Sequence, residues 1–234
     1  MTRFPAPPGL EDQSSSAETR AGMRSETYAA LASGFLYPTW VSDFHRLDSL
    51  VRCFGRAEWA LGAIREGLPF RELTCSLRTC VDRVQEALDM EVEYNRLFVG
   101  PGPPAAPPYE SVYRDPSGLV MGQAAQDAQG RYADAGLTVI PGRCELPDHI
   151  ATELGFMAYL AAQESLATDR ERATWVEMQY SFLVDHLNAW VRLFRYRMDG
   201  ATRHPFYASL AELTAGYVQV DVESPRLAPR EKRS

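Results

Sequence analysis

The residue types best suited to chemistry fall in two short stretches. Tyr109, Glu110 and Ser111 directly follow Pro107 and Pro108; Asp148, His149 and Glu153 directly follow Pro147. His149 and Glu153 stand at i and i+4, so on a helix they share one face at a spacing compatible with metal ligation. A carboxylate-bridged metal bundle needs repeated Glu-x-x-His pairs, and the chain has none, so no metal site is expected. Asp148 also has a simpler reading as the N-cap of a helix, where its carboxylate accepts backbone N–H groups at the positive end of the dipole. Ser111 has no identifiable histidine partner. His45, His186 and His204 are dispersed and read as helix-face or surface residues. The chain has no Gly-x-Ser-x-Gly elbow, no Walker loop and no glycine-rich dinucleotide fingerprint. Cys53, Cys75, Cys80 and Cys144 form no Cys-x-x-Cys pair and no zinc spacing, and read as reduced, partly buried thiols. No cofactor is expected.

Composition narrows the partners. At 234 residues the chain suits one domain with a sizeable core. Hydrophobic residues at 45% and charged residues at 24% are ordinary for a soluble globular protein. A formal net charge of −7 argues against nucleic acid and favours a cationic peptide. The opening residues 1–21 lack an apolar signal region, and the longest apolar run, near residues 154–162, is too short to span a bilayer. A soluble cytoplasmic protein without membrane insertion is expected.

The elements that must position these residues are helical throughout. Residues 1–22, rich in proline, serine and charge, read as a disordered arm. Ser25 is a plausible N-cap for a first helix carrying Tyr28, Leu31, Ala32, Phe35 and Leu36 at helical spacing, ended by Pro38. Asp43 can cap a second helix with Phe44, Leu47, Leu50, Val51 and Phe54, and residues 57–65 read as a third. From Thr74 a long pattern of Leu77, Val81, Val84 and Leu88 runs toward Leu97 and Phe98. Residues 119–135 read as helix stopped by Gly136, and Asp148 opens another with Ile150, Leu154, Met157 and Ala161 inward. The longest helix, residues 169–198, places Trp175, Met178, Phe182, Leu183, Leu187, Trp190 and Phe194 inward. A last helix carries Phe206, Leu210, Leu213 and Tyr217, with a flexible tail over residues 219–234. The expectation is an all-α, single-domain helical bundle over residues 23–218.

Between the helices lies the most distinctive loop. Five of the eight residues from Pro101 to Pro108 are proline. Proline fixes φ and donates no backbone hydrogen bond, so the loop is stiff and loses little entropy when it meets a partner. A connection this long and apolar suits a binding task better than a linker.

Glu93, Tyr94, Leu97, Phe98, Gly100 and Pro101, then Pro107, Pro108, Tyr109, Glu110, Ser111, Val112 and Tyr113, then Pro147, Asp148, His149, Ile150, Glu153, Leu154, Phe156 and Met157 resemble, in order and spacing, the TorD/DmsD/NarJ family of molybdoenzyme-specific chaperones. The resemblance implies a helical chaperone that binds the apo-form of a molybdopterin oxidoreductase subunit and, in some branches, its twin-arginine signal peptide, delaying export until the cofactor is inserted. The positions it implicates are Tyr94, Leu97, Phe98, Pro108, Tyr109, Asp148 and His149, with Pro107, Glu110, Ser111 and Glu153 beside them. Relatives often place tryptophan where Tyr94 and Tyr109 stand, and glycine where Glu110 stands. Some relatives form domain-exchanged dimers, so monomer and exchanged dimer both remain open. Leu97, Phe98, Pro108 and Tyr109 could meet the apolar part of a signal peptide, and Asp148, Glu153 and Glu110 its arginines. Arg96 and Arg114 would oppose this if they face the groove. The rival readings are a nucleotide- or metal-dependent hydrolase on a helical scaffold, and an adaptor without a maturation role.

Overall fold

A computed structural model describes residues 10–38, 84–138 and 146–224. The expected all-α class holds: these residues form helices and connecting loops, with no β-strand among them and one isolated β-bridge. The expected helices over residues 43–54 and 57–65, the Leu77 and Val81 positions and all four cysteines lie outside the described residues.

Helix α1 spans Leu10–Gly34. Of the arm expected over residues 1–22, residues 1–9 lie outside the described residues, while residues 10–22 are helical and the helix runs on through Ser25, the expected N-cap. Tertiary contacts override the weak local signal. Ala21 is buried, Arg24 pairs with Glu164, Arg172 reaches Glu18 at 3.4 Å, and Ser25 Oγ donates to Ala158 O at 2.8 Å from mid-helix. Tyr28, Leu31 and Phe35 form its buried stripe, as the spacing predicts.

Helix α2 (Val84–Tyr94) passes into a π-turn at Asn95–Val99. The short α3 (Glu110–Arg114) follows the proline loop, and α4 (Gln123–Asp134) follows an exposed turn at residues 119–121. Gly136 ends α4 at a φ of 76°, as expected of a C-terminal glycine. Helix α5 (Ile150–Leu166) packs along α1. The expected long helix is α6 (Asp169–Phe182) and α7 (Asn188–Ala201), joined without a break by a π-turn at Leu183–Leu187. Helix α8 (Pro205–Val222) packs against α7 and continues four residues past Val218, burying Val220 and Asp221.

The core joins these helices through aromatic rings. Phe35, Phe98 and Phe194 meet edge-on or tilted at 5.6–6.4 Å, and Phe98 meets Tyr94 at 4.9 Å and Tyr207 at 5.7 Å. Burying each such side chain stabilises the fold by about 1.5–3 kcal/mol. Polar corners are tied as well. Glu93 accepts from Arg96 Nε and Nη2, each at 2.7 Å, and from Thr202 Oγ1 at 3.2 Å, fixing the end of α2 to the turn between α7 and α8.

Candidate functional site

The two chemistry-bearing stretches meet in space. Tyr109 precedes α3 and His149 precedes α5, both in extended conformation, and the two form an antiparallel bridge. Glu110 N donates to Asp148 O and Ile150 N donates to Pro108 O, both at 2.9 Å. The rings of Tyr109 and His149 sit edge-to-face at 5.2 Å. The proline loop is held at its other end by Gly100 N to Asn95 O at 2.6 Å and Ala106 N to Leu97 O at 2.9 Å. Gly100 closes the π-turn at a φ of 113°, where a Cβ would stand 2.4 Å from Gly102 O.

Asp148 does not cap its own helix. His149 does, its Nδ1 accepting from Ala151 N at 3.1 Å. Asp148 Oδ2 instead accepts from Ser111 N at 3.1 Å, serving α3 across the bridge. The expected cap fails because Asp148 sits one position too early, with its backbone committed to Glu110. Burial lowers the His149 imidazole pKa to about 3, so the ring is neutral and its Nδ1 free to accept.

Behind the bridge lies a buried polar cluster. Glu110, Glu153 and His186 are 0%, 0% and 1% exposed. His186 Nδ1 stands 2.7 Å from Glu110 Oε2, while Arg114 pairs with Glu110 Oε1. Trp190 Nε1 donates to Glu153 Oε2 at 2.9 Å, and Glu153 Oε1 receives no hydrogen bond. His186 Nε2 is 3.0 Å from Asp127 Oδ2, within ion-pair range although out of line for a hydrogen bond. Burial, then the charge on Glu110, pushes the Glu153 carboxyl well above the usual carboxylate range. Burial also tends to raise Glu110, but its bond to His186 and the charge there outweigh it and hold that carboxyl low. The two acids of this cluster are therefore biased in opposite directions, Glu110 toward its ionised form beside His186 and Glu153 toward its protonated form.

The sequence-predicted residues divide by exposure. Tyr94, Leu97 and Phe98 are buried in the aromatic core, Tyr94 donating its hydroxyl to Phe35 O at 3.2 Å. Pro108, Glu110, Ser111, Asp148, His149 and Glu153 are buried around the bridge, while Pro107 and Tyr109 are half-buried. The carboxylates expected to meet client arginines are thus engaged inside the fold. Arg96 is turned onto Glu93 and Ala201 O; Arg114 is turned onto Glu110 and Asp185 O. Ser111 Oγ accepts from Gly122 N at 3.0 Å, and the His186 nitrogens face Glu110 and Asp127. His186, expected on a helix face or the surface, is interior. It lies four residues after Phe182 and four before Trp190, both on the predicted inward stripe, so the periodicity already marked it.

The chain is similar to known proteins along most of its length. The model of the nitrate reductase delta subunit family matches residues 67–195. The chaperone protein TorD of Vibrio cholerae is 29% identical over 202 residues, covering 85% of this chain and 90% of that protein. TorD of Vibrio atlanticus is 27% identical over 210 residues, covering 86% and 93%. A solved structure from Archaeoglobus fulgidus, described as a redox enzyme maturation protein, superposes with a TM-score of 0.54 at 23% identity, over 83% of this chain and 93% of that one. Its helical fold is the fold seen here. With a family match over more than half of its residues, and named chaperones among its relatives, this chain belongs to the nitrate reductase delta subunit family, which includes the TorD and NarJ chaperones of redox enzymes.

Proposed function

We propose that the protein is a non-enzymatic, cytoplasmic chaperone that holds the apo-form of a molybdopterin oxidoreductase subunit, gripping its twin-arginine signal peptide until the cofactor is inserted. The observation that carries this reading is the proline loop. It is pinned at both ends, yet Pro101, Gly102 and Pro103 are exposed and Pro107 and Tyr109 half-exposed. Such a loop offers a preformed apolar wall whose ordering entropy is already spent. Tyr109 and Pro107 are its client-contacting members. Tyr94, Leu97, Phe98, Pro108, Glu110, Ser111, Asp148, His149 and Glu153 form the floor that keeps the wall in place.

Titration calorimetry of the full chain against the signal peptide of the apo-subunit tests this. Tyr109→Ala is expected to weaken binding about tenfold, the loss typical of an aromatic anchor. Unchanged affinity, together with unchanged rescue of the apo-enzyme by molybdenum cofactor, would remove the loop from the client surface. Leu97→Asp is unsuitable for this test, because it places a charge in the fully buried core.

A further inference from the structure

Glu110, Glu153 and His186 come from three separate elements: the start of α3, the first turn of α5 and the π-turn before α7. Each offers one ligand atom, and the three atoms lie within 4.8 Å of one another. The opposite atom of each group is held from outside. Arg114 pairs with Glu110 Oε1, Trp190 Nε1 donates to Glu153 Oε2, and Asp127 Oδ2 stands 3.0 Å from His186 Nε2. The remaining atoms therefore converge.

One of them has no donor. Glu153 Oε1, on a side chain with no solvent exposure, faces the Glu110 carboxylate, which is itself an acceptor. Two acceptors cannot satisfy each other, so a proton or a cation must lie between them. The arrangement has further marks of a cation site. A carboxylate beside the outer nitrogen of a ligating histidine fixes its tautomer and orientation, and outer hydrogen bonds do the same for ligating carboxylates. Trp190 stands in that position for Glu153, and Asp127 stands beside the outer nitrogen of His186 at ion-pair distance, out of line for a hydrogen bond. Asp127 is half-exposed, so the cluster lies one residue from solvent, by way of the imidazole.

We propose that Glu110, Glu153 and His186 form a binding site for one divalent transition-metal cation, with His186 Nδ1 and one oxygen of each glutamate as ligands. Two carboxylates and an imidazole suit Zn2+, Mn2+ or Fe2+ and leave positions open for water. Ligands about 2.1 Å from such an ion stand at most about 4.2 Å apart, so the cluster closes on it by side-chain adjustment alone. The site ties α3, α5 and the π-turn together behind the proline loop. Sequence periodicity missed it because no two ligands share a helix.

The full chain, stripped with chelator and exchanged into metal-free buffer, is titrated with ZnCl2 and separately with MnCl2, with MgCl2 as control. The expected result is one equivalent of Zn2+ or Mn2+ per chain, with a rise in thermal midpoint, and no comparable response to Mg2+. Glu153→Gln keeps the Trp190 acceptor and the side-chain volume, and should abolish stoichiometric binding. Asp127→Asn, at a half-exposed position outside the ligand set, should fold normally and weaken binding by about tenfold, the low end for an outer partner, since it removes a charge and no hydrogen bond. A wild-type chain that takes up no equivalent of either ion overturns the proposal and leaves a shared proton between the acids. Binding unaltered by both variants overturns it equally, by placing the ion elsewhere.

Discussion

Replacing His149 by asparagine should flatten the acid sensitivity of the fold by an amount that can be worked out. The folded imidazole is neutral, held at a pKa of about 3 by burial and with Nδ1 occupied by the Ala151 N–H. The unfolded side chain titrates near 6.5. A proton therefore binds the unfolded state preferentially. The stability that depends on neutral His149 is complete above about pH 6.5 and is lost progressively as pH falls toward 3. At pH 5 the loss reaches about 2 kcal/mol, against about 0.2 kcal/mol at pH 7, by proton linkage with those two values. The figure at pH 5 depends almost entirely on the unfolded value, because the folded one lies far below it. Asparagine retains an oxygen that can cap α5 and carries no titrating group. Urea denaturation of both proteins at pH 7 and pH 5 should show wild type losing about 2 kcal/mol more than His149→Asn between the two. Other titrating groups cancel in that difference. Parallel losses in the two proteins would refute a buried neutral His149.

Gly100→Ala should destabilise by at least about 2 kcal/mol, combining a φ open mainly to glycine with a Cβ driven into the Gly102 carbonyl; the unfolding midpoint reads it. The same variant should increase protease cleavage within residues 101–108 as the π-turn loses its closing residue. Phe98→Ala should cost about 3–5 kcal/mol in denaturant titration through loss of a buried ring contacting Tyr94, Phe194 and Tyr207. Glu93→Ala removes the acceptor shared by Arg96, Thr202 Oγ1 and Arg203 N and should cost about 1–2 kcal/mol, measured the same way, because the Arg96 guanidinium remains within reach of water.

Helix identity was legible wherever an apolar stripe repeated. Ile150, Leu154, Met157 and Ala161 are all buried, as are Phe182, Leu183, Leu187, Trp190 and Phe194. The site was legible only as sequence neighbours. The pairing of Tyr109 with His149 is a long-range backbone event, and nothing in either stretch announces it. Asp148 was misread because a cap is assigned locally, while its carboxylate serves an amide 37 residues earlier in the chain. The course of α1 was misread for a related reason: it is tied down at Glu18 and Arg24 by Arg172 and Glu164, which only the fold brings near. Burial of Glu110 and Glu153 was invisible because isolated acids are ordinarily solvated. Their partners, His186 and Trp190, come from a helix more than thirty residues beyond Glu153.

The π-turn at Leu183–Leu187 gives the long helix one residue to spare. A π-turn holds one residue more than the α-turns on either side of it. Removing Val184, whose side chain is exposed, would let the turn revert to α geometry. The α-turn left behind would complete the same rotation with one residue fewer, so later side chains would keep their faces. Trp190 would stay on Glu153, and Phe194 would stay in the aromatic core. Deleting Val184 should therefore be tolerated, whereas deleting Arg192, in the regular turns of α7, should turn Phe194 out of the core by about 100°. Thermal midpoints of the two deletion variants would display the contrast directly.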